Sequence, residues 1–144
     1  MNNKVQSSEI GFALKQIVTK QFAVIEEAFT GGCPVSMAAE LKFATNKEDR
    51  AIAVSAEFKF LTCEKSFLLI EVTCFFEIKE DSWKKFSGNG NETCIPKNFL
   101  CYLAMHTVGT ARGVLHAKTE NTKYNCYILP PINVTEMVRN DLIL

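Results

Sequence analysis

The chain has 144 residues, 47% of them apolar, and sixteen basic side chains balance sixteen acidic ones. A chain of that size holds one core of ordinary volume, and neutrality without a basic stripe interleaved with aromatics argues against a nucleic-acid partner. The segment Met1 to Glu9 lacks an apolar core of signal-peptide length and no apolar run reaches spanning length, so the expected setting is cytoplasmic, without insertion into a membrane.

Residues 1–10 are polar and are expected to be disordered. From Phe12 to Glu26 the apolar positions Phe12, Leu14, Ile17, Phe22 and Val24, with β-branched neighbours, predict a long first strand whose phase changes once, near Gln16 to Val18, at a bulge. Thr30-Gly-Gly-Cys-Pro34 breaks the chain, and Ala38 to Thr45 predicts a short strand with Ala39, Leu41 and Phe43 on one side. The turn Asn46-Lys-Glu-Asp49 leads into Arg50.

Two strands follow. Between Arg50 and Thr62, Ile52, Val54, Ala56, Phe58 and Phe60 alternate with small or polar residues, an ordinary amphipathic pattern. Between Lys65 and Ile78, one side reads Leu68, Ile70, Val72, Cys74, Phe76 and Ile78, while Phe67, Leu69 and Phe75 fall on the other beside Glu71, Thr73 and Glu77. Leu61 to Lys65 is short enough for a hairpin turn, although no Asn-Gly or Asp-Gly pair marks it.

Residues 80–97 are expected to form an irregular connection, pinned by Trp83 and Phe86, with the glycine-rich stretch Ser87 to Asn91 its least structured part. After Pro96 a helix capped by Asn98 runs to about Lys118, and Leu100, Ala104, Val108, Ala111 and Leu115 form its apolar stripe, widened by Phe99, Leu103 and Val114. The opposite face carries Tyr102, Met105, His106, Gly109, Arg112, Gly113 and His116. Each interior glycine costs about 1 kcal/mol against alanine, so close approach of a second backbone is the expected compensation. Beyond Glu120 to Lys123, an extended stretch Tyr124 to Leu129 reaches Pro130-Pro131. Asn133 and Glu136 have the spacing of a capping box for a short last helix running toward Leu142.

Little of this supports catalysis. The six cysteines lack C-x-x-C spacing and any zinc-type histidine partner, so they read as free thiols, with no metal site. His106 and His116 lie about 15 Å apart along the helix, too far to share one metal. Gly109 to Gly113 lacks the ending of a phosphate loop and sits inside a helical pattern. The sequons at Asn91 and Asn133 have no meaning without a secretory route. A thiol hydrolase pairing Cys101 with His106 or His116 is the reading from a different class. The expectation is no catalytic site and no cofactor, and the feature left over is apolar surface at Phe67, Leu69 and Phe75, which another subunit or a client must cover.

The order of elements, with Ile17 to Lys20 in a long bent strand, Phe67-Leu-Leu-Ile-Glu-Val72, a long helix and Tyr127-Ile-Leu-Pro-Pro-Ile-Asn-Val134, resembles the SecB export chaperones from Phe12 to Leu142. The resemblance implies one α+β domain over 1–144: a four-stranded antiparallel sheet with a long helix and a short C-terminal helix on one face. It implies an ATP-independent homotetrameric chaperone for protein transport, holding unfolded polypeptides in hydrophobic grooves. Phe67, Phe75, Tyr127, Ile128, Leu129, Pro130 and Ile132 would meet clients, and Leu69 and Glu71 would face a SecA-type motor. Tyr102, Met105, His106, Gly109, Arg112 and Gly113 would join the two dimers. Gln21 and Ile25 stand where members of that family present acidic side chains to the motor, and the family's acidic, zinc-contacting tail and net acidity are missing. Holding is therefore better supported than delivery, and service to a toxin–antitoxin pair, with an antitoxin as partner, is the related alternative.

Overall fold

The computed structural model describes residues 10–88 and 92–144. Strands β1 (Phe12–Val24), β2 (Val35–Asn46), β3 (Ala51–Thr62) and β4 (Lys65–Ile78) form one antiparallel sheet in the order β1-β4-β3-β2. Helix α1 (Glu80–Phe86) follows, then β5 (Cys94–Ile95), the long helix α2 (Lys97–Thr119), the single turn α3 (Val134–Met137) and β6 (Leu142–Ile143). This is the expected α+β arrangement of four strands, one long helix and a short C-terminal helix.

The helix-facing side of β3 and β4 is the core. Ile52, Val54, Ala56 and Phe58 on β3, and Leu68, Ile70, Val72, Cys74, Phe76 and Ile78 on β4, are fully or almost fully buried. They meet Phe99, Leu100, Leu103, Ala104, Val108, Ala111 and Leu115 of α2, the stripe that helical spacing selects.

Phe67 departs from its predicted side. Pairing between β3 and β4 passes from Phe60↔Leu68 to Leu61↔Ser66, so Phe67 is an extra residue in a bulge. A bulge turns two consecutive side chains to one face. Phe67 and Leu68 are both 0% exposed, and strict alternation of sides fails at this position. The hairpin turn itself is the two-residue pair Cys63 and Glu64, with φ of 50° and 65°. Those are the left-handed values a type I′ turn needs, adopted here without glycine or asparagine.

β1 carries two bulges, not one. Its register against β4 slips between Leu14 and Gln16 and again between Thr19 and Gln21, leaving Lys15 and Lys20 as the unpaired residues. Both slips keep Phe12, Leu14, Ile17, Thr19, Phe22 and Val24 in register with the core-facing residues of β4. Lysines at bulges on an edge strand also blunt its capacity to pair with other chains.

Several connections differ from expectation. The supposedly irregular stretch contains α1, whose Trp83 and Phe86 are buried and whose Ser82 hydroxyl accepts from the Gly11 amide at 2.7 Å. Ser87 bridges to Thr93, while 89–91 of the glycine-rich stretch lie outside the described residues. Of the N-terminal segment expected to be disordered, 1–9 lie outside them too, but Ile10 is buried in the core. Tyr124 belongs to a 3-10 turn, Lys123–Cys126, not to an extended stretch, because the Thr122 hydroxyl accepts from its amide at 3.2 Å. Instead of continuing toward Leu142, the last helix stops at Met137, and Leu142 pairs with Ile95.

Neither predicted asparagine cap forms. Pro96 occupies the N-cap position of α2, and the Asn98 side chain accepts from the neighbouring Phe99 amide at 2.9 Å. The Lys97 amide donates to the Asp141 carboxylate at 2.8 Å, so the C-terminal tail supplies the acceptor. The Asn133 side chain accepts from the Thr135 hydroxyl and caps no amide of α3. Asp141→Ala should therefore cost about 1 kcal/mol, the usual loss for a removed helix-terminal acceptor, and accelerate exchange of the Lys97 amide. Urea midpoints for the two proteins check this.

Two of the six cysteines are not free. Cys33, in the β1–β2 connection, and Cys63, in the β3–β4 turn, form a disulfide with Cα atoms 5.5 Å apart. Sequence spacing gives no hint of the pair, because the sheet order places these two loops at the same end. Cys74, Cys94, Cys101 and Cys126 are free thiols. Among the described residues no helix is long and apolar enough to cross a membrane.

Candidate functional site: an apolar groove beside the long helix

Helix α2 covers β3 and β4 with its apolar stripe and leaves its flanks for other partners. Against one flank lies the segment Tyr127 to Val138. Arg112 fastens it: its Nε donates to the Leu129 carbonyl at 2.7 Å and its Nη2 to the Pro130 carbonyl at 3.0 Å. The Cys101 thiol donates to the Val134 carbonyl at 3.9 Å, a weak second tie further along.

Between helix and segment run two depressions that meet at Met105. One, of 310 Å³, is lined by Lys97, Asn98, Cys101, Tyr102, Met105, Thr135 and Val138. The other, of 470 Å³, is lined by Met105, Val108, Arg112, Leu129, Pro131, Ile132 and Val134. Together they form an apolar trough with a cationic side chain near each end. Met105 is 59% exposed at its middle and Ile128 is 61% exposed on the segment that borders it. Such exposure of large apolar groups around one depression marks a surface that gains by being covered.

The residues predicted to meet clients are divided by the structure. Ile132 lines the trough, Ile128 and Pro130 are exposed beside it, and Tyr127 is half-buried. Phe67 and Leu129 are core residues at 0% and 1% exposure, so the expectation of Phe67 on a free surface is corrected by the bulge. Phe75 faces the helix-free side of the sheet, opposite Ala53, and the sheet separates it from the trough. Leu69 and Glu71 lie half-buried on that same helix-free side. Glu71 stands in register with Glu57 and Gln21, and Glu57 with Glu40. Lys59 partly offsets this row of like charges, its ammonium 3.3 Å from Glu57. Cys101, Thr135 and Val138 of the trough were missed, although Val134 and Val138 share one side of a helical turn by spacing alone.

On α2, Tyr102, Met105, His106, Gly109 and Gly113 are exposed. A Cβ at Gly109 or Gly113 would meet nothing within 4 Å, so no close contact inside the protomer explains either glycine. Arg112 was expected on this face as a subunit contact, but it is half-buried and committed to the Leu129 and Pro130 carbonyls. Arg112→Met keeps much of the stem and removes both bonds. It should cost about 1.5–3 kcal/mol, the range for hydrogen bonds to a charged group, and raise amide exchange from Tyr127 to Ile132.

At one end of the segment lies an aromatic cluster. The Phe29 ring packs 4.9 Å from Phe67, 5.7 Å from Tyr124 and 6.3 Å from Tyr127, while Tyr127 lies 5.1 Å from Phe67 and 5.7 Å from Phe60. Lys123 caps it, its ammonium 5.3 Å from the Phe29 ring centre. The Tyr124 hydroxyl is buried with no hydrogen-bond partner among the described residues, a burden of about 1–3 kcal/mol on the closed cluster. Burial pushes the Tyr127 hydroxyl above its ordinary pKa.

The groups of the hydrolase reading are held otherwise. Burial pushes the Cys101 thiol up, away from the thiolate a nucleophile needs. The His106 ring packs on Phe12 and Tyr102, and His116 lies 3.2 Å from Glu120. Among the described residues no group of three or more His, Cys, Asp or Glu side chains could hold a metal ion.

No protein-family model and no curated protein matches the chain. Among solved structures, it is similar to a crystal structure of a protein of unknown function from Streptococcus agalactiae, at 13% identity, with 85% of this chain and 98% of that one covered and a TM-score of 0.29. A likeness of that size carries no weight for fold or function.

Proposed function

We propose that the protein is an ATP-independent holding chaperone that binds unfolded polypeptide along the α2 trough, as the resemblance to SecB export chaperones suggests. The observation that carries this reading is the pair of apolar depressions that share the exposed Met105 in their linings, with Ile132 lining one of them and the exposed Ile128 on the same segment. Apolar side chains of an extended client would bind there by area removed from water, and several weak contacts along one chain would add without a demanding sequence. A buried, raised-pKa Cys101 engaged with a backbone carbonyl favours binding over the thiol-hydrolase alternative.

Work in the cytoplasm and handover to a SecA-type motor, or service to a toxin–antitoxin pair with an antitoxin as partner, are further parts of the proposal. For motor docking, Leu69 and Glu71 offer one apolar and one acidic group on the helix-free face. The test of the holding function is light scattering of a chemically unfolded substrate diluted without nucleotide. Suppression by the wild-type protein near one client per oligomer is expected, and unchanged aggregation at a several-fold excess would refute it.

Self-association through the exposed face of α2 belongs to the same reading. In an isolated protomer Gly109→Ala should stabilise by about 0.5–1 kcal/mol, because a helix gains from the added methyl group where nothing obstructs it. If a second copy packs on that face, the same change should weaken the assembly, and sedimentation of the two proteins separates these outcomes.

A further inference from the structure

We propose that Cys33 and Cys63 form a reversible thiol–disulfide clasp that holds the Phe29 segment down over the aromatic cluster. This goes beyond the holding function and does not depend on it. Phe29 lies four residues before Cys33, and the disulfide ties its connection to the β3–β4 turn. The hairpin below that turn carries Phe60 and Phe67, the other walls of the cluster around Tyr127.

Beyond the ring contacts of Phe29 and a Thr30 hydroxyl that donates to the Cys63 sulfur at 3.5 Å, the connection has few ties other than the clasp. Side chains built at Gly31 or Gly32 would touch nothing within 4 Å, and Gly32 has φ of +112°. The Thr62 hydroxyl donates to the Ala28 carbonyl at 3.2 Å, and β2 begins at the Val35↔Thr62 pair, on an edge strand. The clasp spans the residues between those two anchors.

One feature of the closed state favours opening once the bond is broken. The buried Tyr124 hydroxyl is unpaired among the described residues and would gain water on uncovering. A covalent tie from outside the cluster offsets it.

The thiol inventory fits a setting where exchange occurs. Cys94 and Cys126 are exposed free thiols in the same chain as this disulfide. A permanently oxidising compartment would leave them open to unwanted pairing, and cytosolic disulfides are characteristically transient or redox-sensing. In the exchange, the thiolate of a small-molecule thiol attacks the exposed Cys63 sulfur, forming a mixed disulfide and expelling Cys33 as a thiolate, which takes a proton from water. A second small thiol then displaces Cys63. Two electrons pass from the small thiols, which leave joined as their own disulfide, and two protein thiols remain.

The test uses the full chain, oxidised in air and reduced with dithiothreitol. Thiol titration in denaturant should count four thiols in the oxidised protein and six in the reduced one. Amide exchange over 28–36 should rise about tenfold or more on reduction, as expected when a local segment gains its own opening equilibrium, with binding of an apolar fluorescent dye rising in parallel. Cys33→Ser should show the fast exchange whether or not dithiothreitol is present, and Cys94→Ser should respond like wild type. Six titratable thiols after air oxidation, or the same exchange over 28–36 in both states, would overturn the clasp.

Discussion

Phe67→Ala should lower stability by about 3–5 kcal/mol, the range for deleting a fully buried aromatic side chain. Phe67 is 0% exposed and packs against Phe29, Tyr124 and Tyr127, so its removal leaves a cavity under the aromatic cluster with no solvent to fill it easily. A loss of that size is a large part of the 5–15 kcal/mol typical of a folded domain. Urea denaturation measures it, as a shift of midpoint at unchanged slope. A loss within about 0.5 kcal/mol would instead put Phe67 on a free surface, where substitutions are nearly neutral.

The double substitution Met105→Ser with Ile128→Ser should have the opposite profile. Both side chains are more than half exposed, so stability should change by no more than about 1 kcal/mol in all, two exposed sites each near neutral. Suppression of aggregation should be lost, because the middle of the trough and its border both lose their apolar groups. Phe75→Ser, on the far side of the sheet, should leave suppression intact. A folded double mutant that still holds substrate at wild-type stoichiometry would place the client surface elsewhere.

What could be read from the residues was whatever depends on local period. The alternation from Ile52 to Phe60 and the stripe from Leu100 to Leu115 give β3 and α2 directly, because each period maps onto one buried face. Features set by partners distant in sequence were not legible. Phe67 changes side because the register with Leu61 and Ser66 slips, and Asp141 caps α2 from 44 residues away. Cys33 meets Cys63 through the sheet order.

Two misses were readable. Phe22 follows Ile17 by five positions, an odd interval that already requires the second bulge at Lys20. Glu80 and Lys84, 3.7 Å apart at helical spacing, together with Trp83 and Phe86, mark α1 in a stretch read as irregular. In the candidate site, Ile128 and Ile132 follow from the resemblance over Tyr127-Ile-Leu-Pro-Pro-Ile-Asn-Val134, whereas the sequence reading gives Met105 to subunit contact. Its place in the trough follows from the fold, because the segment after Leu129 is drawn against that flank by Arg112.

The most direct measurement is methyl NMR of the protein with a permanently unfolded, reduced and carboxymethylated polypeptide, added without nucleotide. Saturable shifts at Met105, Ile128 and Ile132, with Leu69 unmoved on the opposite face of the sheet, are the expected result. Shifts confined to the helix-free face, or none at all at client concentrations that saturate aggregation suppression, would contradict binding in the α2 trough.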